Sequence, residues 1–113
     1  MEIAVTDLSD RVTKVALNGR LDTAGVDRIE TKFLAICAAG GSHALVDLSG
    51  VTFMASMGIR MLISASRAMA LRKTKLVLFA PQPMVSDVLN HTALADVVPI
   101  AADEKAALAL TEV

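Results

Sequence analysis

The sequence predicts an α/β domain in which helices cover a mixed β-sheet, in the order β-β-α-β-α-β-α-β-α. Two β-patterned runs open the chain, Ile3–Thr6 and Val12–Leu17, divided by the polar segment Asp7-Leu8-Ser9-Asp10. After them, short apolar runs alternate with longer amphipathic ones, and glycine, proline and Asn-His-Thr punctuation separates the segments. An initial hairpin followed by such alternation argues for a mixed sheet with crossover helices. The whole chain, 1–113, is read as one domain without linker or repeat.

Taken in order, the first two runs are simplest as an antiparallel hairpin. Gly19-Arg20-Leu21-Asp22 reads as a turn, after which Asp22 or Thr23 can cap a helix by accepting backbone N–H bonds. That helix spans Ala24 to Ala38. Val26, Ile29, Phe33 and Ile36 or Cys37 form its apolar face, and Asp27, Arg28, Glu30 and Lys32 form the other side. Gly40-Gly41 ends it. Leu45, Val46 and Leu48 make a buried strand over Ala44–Leu48, which Gly50 punctuates.

A second helix runs from Ser56 to Lys73. Stepping about 100° per residue, Gly58, Met61, Leu62, Ala65, Ala68 and Met69 gather on a core face, while Ser56, Arg60, Ser64 and Arg67 gather opposite. Ile59, Ile63 and Ala70 form an apolar flank beside the polar face, read as pointing away from the core. Lys75–Phe79 is a fourth strand, closed by Ala80-Pro81-Gln82-Pro83. Met84, Val85, Val88 and Leu89 suggest a short helix ended by Asn90-His91-Thr92. Val97–Ile100 is a last strand at an edge, because Pro99 lacks a ladder donor. A terminal helix starts at Asp103 or Glu104.

Composition removes several function classes. Net charge is −1 and aromatics are 3% of residues, which offers neither the basic surface nor the stacking platforms of a nucleic-acid binder. One cysteine, Cys37, excludes an intrachain disulfide and a CxxC metal site, and it reads as core filler. His43 and His91 lack metal-ligand spacing, so no metal or cofactor is expected. There is no signal-peptide pattern and no apolar run near the roughly 20 residues that span a bilayer, so a cytoplasmic protein without membrane insertion is expected. No catalytic acid–base pair or nucleophile–histidine set is present, and a non-enzyme is expected. Met54 and Met57 are the methionines expected to be exposed.

The stretch Ala44–Arg60 carries the functional signal. It places a serine and a glycine, Ser56 and Gly58, at the mouth of a helix directly after a buried strand. The first turn of a helix leaves backbone N–H groups free to meet an anion. From position alone Ser56 reads first as a helix cap, since serine is among the preferred caps. Asp47 supports the turn after the strand.

Two motifs make the chain resemble the STAS domain, the family of sulphate-transporter and anti-sigma-factor-antagonist modules. Gly19-Arg20-Leu21-Asp22 matches the family's Gly-x-(Leu/Ile)-Asp element before helix one. Val46-Asp47-Leu48-Ser49-Gly50-Val51-Thr52-Phe53-Met54 matches its second element, and Ser56 and Gly58 keep the acceptor serine and following glycine. Two positions depart: the acid before the serine is Ala55, and the hydroxyl residue after it is Met57.

The resemblance implies a STAS-like fold and a regulatory module. Ser56 would be phosphorylated by an anti-sigma factor with serine kinase activity, and a PP2C-type phosphatase would reverse the modification. The unphosphorylated form would bind the anti-sigma factor and free a sigma factor. The partner surface expected around Ser56 comprises Asp22, Met57, Gly58, Ile59, Arg60, Ile63 and Arg67, and a homodimer is compatible with it. The alternative reading is a constitutive scaffold subunit, similar to STAS components of lipid-transport ATPases or stress-signalling complexes.

Overall fold

A computed structural model describes residues 1–111 and shows ten elements. In chain order they are β1 (Glu2–Asp7), β2 (Val12–Leu21), α1 (Thr23–Ala39), β3 (His43–Met54), α2 (Ser56–Leu71), β4 (Leu76–Phe79), α3 (Pro83–Asn90), α4 (Leu94–Val97), β5 (Ile100–Ala101) and α5 (Glu104–Leu110). The five strands form one sheet in the order β1-β2-β3-β4-β5. β1 pairs antiparallel with β2, and every other neighbouring pair is parallel. The mixed α/β sheet with an opening hairpin is therefore as the sequence predicts. β5 lies at an edge, next to Pro99.

Strand alternation sorts the core onto two faces. Val15 and Leu17 of β2, Val46 and Leu48 of β3, and Leu76 and Leu78 of β4 point to the face covered by α1 and α2, where they pack with Phe33, Met61, Leu62 and Met69. The intervening Val12, Leu45, Val77 and Phe79 form a smaller cluster with Ala107 of α5 on the opposite face. Cys37 is buried in the larger core, and burial pushes its thiol pKa up to about 12.

Four boundaries differ from the sequence reading, each for a local reason. Gly19-Arg20-Leu21 is the end of β2 rather than a turn, and β3 runs through Gly50 to Met54. Both misreadings come from register shifts between Ala16 and Asn18 and between Gly19 and Arg20, across which β3 gains residues on β2. Such bulges break the period of two, so the positions of β3 buried in the larger core run 44, 46, 48, 51, 54. Met54 is consequently core, 4% exposed, and not a surface methionine. The third difference is α4, a single helical turn over Leu94–Val97. It takes Val97 from the expected last strand, which is reduced to Ile100–Ala101. Lastly, α2 ends at Leu71 and not at Lys73, whose φ of 61° is incompatible with a continuing helix.

Candidate functional site

β2 and β3 are parallel neighbours whose last residues, Leu21 and Met54, are register partners. The helices that follow them, α1 and α2, therefore start side by side at the carboxyl end of the sheet and pack against each other. This places Asp22 and Ser56, more than thirty residues apart in the chain, at one edge. The Ala55 N–H donates to the Leu21 carbonyl at 2.9 Å, which ties the two turns together.

Asp22 is the cap of α1, with its Oδ1 accepting from the Gly25 N–H at 2.9 Å. Its Oδ2 meets the Arg20 Nε at 3.3 Å. The Gly25 bond, and secondarily Arg20, hold the carboxyl below its ordinary pKa. Arg20 also lies over the Phe53 ring, 4.3 Å from its centroid. Asp47 accepts from the Ser49 N–H at 2.9 Å, so it braces the irregular part of β3 and not a strand-to-loop turn. Gln82, in the connection after β4, donates to the Ser49 carbonyl at 2.8 Å and ties that segment to the same region.

Ser56 is not the cap of α2. Ala55 holds the cap position and supplies no side-chain acceptor, so Ser56 is the first helical residue and is exposed. The Ala55 carbonyl accepts from Gly58 at 3.0 Å and from Ile59 at 3.3 Å. The amides of Ser56 and Met57 are left among those a helix cannot satisfy itself. Close packing fixes this turn: a Cβ on Gly58 would sit 2.8 Å from Met54 Sδ and 3.1 Å from Leu21 Cβ. Gly25 plays the same part for α1, where a Cβ would fall 2.0 Å from the Arg20 carbonyl oxygen.

The remaining candidates divide. Arg60 and Arg67 are exposed, and the ion pairs among the described residues, Lys14–Glu104 and Arg20–Asp22, do not involve them. Met57, Ile59 and Ile63 are half-buried and pack on the core, so the flank expected to stand clear of it offers only part of its surface. The helical projection assigned those isoleucines by angle alone, without the elements that pack around α2. Sequence reasoning missed Gly25, Phe53, Gln82 and the role of Arg20. Gly25 alone left a usable trace, since glycine in the first turn of a helix is unfavourable unless something must approach closely.

Among the described residues, no group of His, Cys, Asp and Glu is arranged to hold a metal ion. Nor is any helix long and apolar enough to cross a membrane.

The family model for the STAS domain matches residues 4–107. Among solved structures, a STAS-domain anti-sigma-factor antagonist protein from Planctomyces limnophilus superimposes with a TM-score of 0.84 at 25% identity, covering 98% of each chain. An anti-sigma factor antagonist from Mycobacterium paratuberculosis gives 0.87 at 21% identity, covering 99% of this chain and 94% of its own. The antagonist SpoIIAA in its unphosphorylated form gives 0.80 at 19% identity, covering 99% and 98%. A comparison with curated protein sequences finds no match.

Proposed function

The chain belongs to the STAS domain family, and on that premise we propose that it is a binding module of the anti-sigma-factor-antagonist kind, switched by phosphorylation of Ser56. The observation that carries the reading is the exposed Ser56 at the first helical position of α2, beyond a cap that supplies no side-chain acceptor. Its hydroxyl stands where a kinase can reach it. The fold around it is fixed by the Ala55–Leu21 bond and by the close approach of Gly58.

Phosphorylation adds about −1.5 to −2 charges and strong acceptor oxygens. At this position the phosphate meets the positive end of α2 and its free amides, so the domain itself tolerates the charge. Arg60, one turn further on, is available to pair with it. The effect falls on the partner instead. A serine kinase that is also an anti-sigma factor packs on Ser56, Met57 and the exposed parts of Ile59 and Ile63, with Asp22, Arg60 and Arg67 at the rim. Gly58, expected from the sequence on this surface, is buried beneath it against Met54 and Leu21 and drops out. Unmodified chain binds it; phosphorylated chain would have to bury a strongly hydrated, multiply charged group in that interface and is released. A PP2C-type phosphatase resets the switch. The module is a substrate and a ligand, not a catalyst.

One observation favours a second reading. Ala55 and Met57 replace the family's acid and second hydroxyl beside the acceptor, which suits a constitutive scaffold subunit of a transport ATPase or stress-signalling complex. Incubation with the cognate kinase and ATP, followed by mass mapping, separates the two. Phosphate on Ser56 is expected. Phosphate elsewhere, or none, removes the switch and leaves the scaffold.

A further inference from the structure

We propose that the cleft between the β1–β2 turn, the start of β3 and the end of α5 binds a small amphipathic carboxylate, at the opposite end of the sheet from Ser56. The cleft has a volume of about 530 Å³, within the usual range for small-molecule sites. Leu8, Val12 and Leu108 supply its apolar wall, and Arg11 and His43 its polar part. The β1–β2 turn separates its charges. Asp7 and Asp10 line a different cleft, against α1, while Arg11 lines this one. A carboxylate on an alkyl or aryl tail matches both halves: the tail covers Leu8, which is otherwise partly exposed, and the head meets Arg11.

The local hydrogen bonds set His43 up as a donor. Its Nδ1 accepts from the Lys75 N–H at 2.9 Å, so in the neutral ring the proton sits on Nε2. The His43 backbone N–H donates to the Arg11 carbonyl at 2.7 Å, which holds the two residues together. The charged groups facing the ring are Arg11 from the β1–β2 turn and Lys75 from the connection into β4. After burial, these two are what lower the His43 pKa. Of the two, only Arg11 lines the cleft; a carboxylate beside it adds a negative charge next to the ring, so binding raises that pKa and takes up a proton. The site is independent of the Ser56 reading.

The test is an NMR titration of the full chain with sodium octanoate, using 1-octanol as the neutral counterpart. Octanoate is expected to shift the His43 ring and the Leu8 and Leu108 methyl signals in one saturable process. The His43 midpoint should move up in the saturated protein, and Arg11→Gln, on an exposed side chain, should weaken binding about tenfold. Octanol binding as tightly as octanoate, shifts confined to other residues, or an unmoved His43 midpoint would each overturn the proposal.

Discussion

The Ala55 amide donates to the Leu21 carbonyl at 2.9 Å, and this bond joins the turn carrying Asp22 to the turn carrying Ser56. The strand ends on either side of it are register partners. The start of α2 is therefore held by the neighbouring strand and not by a cap of its own.

The two packing glycines test that arrangement. Gly25→Ala forces a Cβ to 2.0 Å from the Arg20 carbonyl, which backbone cannot yield without moving α1. A loss at or above the upper end of the usual overpacking cost, about 1–3 kcal/mol, is expected. Gly58→Ala meets the mobile end of Met54 first and regains about 1 kcal/mol of helix propensity, so its loss should be smaller. Urea denaturation of both variants gives the ranking, and an equal or reversed order would contradict the packing account.

Asp22 gives the acid side of the stability curve a definite sign. Its carboxyl is lowered chiefly by the Gly25 N–H, so its contribution is present above the ordinary value of 3.8 and is lost as pH falls through the folded value. Asp22→Asn keeps an acceptor for the cap but cannot titrate. Acid denaturation of this variant should begin less steeply than that of the parent, and superimposable curves would contradict the assignment.

His43 acts near neutrality. Burial, then Lys75 and Arg11, lower its pKa from 6.5, and the Nδ1 bond to Lys75 N–H needs an unprotonated Nδ1. The unfolded chain then binds the proton more readily, so stability is full above 6.5 and declines as pH falls through the folded value. Denaturant midpoints across this interval should fall with pH in the parent and be flatter in His43→Gln. A parent midpoint that rose on acidification would contradict the sign.

Cys37, with its thiol pushed up to about 12 by burial, should resist alkylation in the folded chain. Labelling by a thiol reagent should proceed at the rate of opening and accelerate with denaturant. Immediate labelling of the native protein would show that the α1 face is not closed as described.

How far the sequence revealed this architecture depended on whether its signals were local. The helices were legible because Val26, Ile29 and Phe33, or Met61, Leu62, Ala65 and Met69, repeat at helical spacing and all are buried. Asp22 was legible as a cap for the same reason. What escaped was non-local. The bulges that carry β2 through Gly19 and β3 through Gly50 exist only in the pairing of the two strands. Ile59 and Ile63 looked free because a projection of one helix knows nothing of its neighbour. The Arg20–Phe53 stack needs a register that no spacing within either strand announces. Ser56 stood out as a candidate through its motif, while its place one residue inside the helix depended on Ala55 taking the cap position beside Leu21.

The central claim is that charge on Ser56 governs partner capture without disturbing the fold. Its most direct test is the affinity of the cognate serine kinase for the parent, Ser56→Ala and Ser56→Asp chains, measured by calorimetry beside their thermal unfolding. All three should unfold alike, Ser56→Ala should bind like the parent, and Ser56→Asp should bind about a hundredfold more weakly, corresponding to about 3 kcal/mol. Parent-like binding by a folded Ser56→Asp chain would contradict the account.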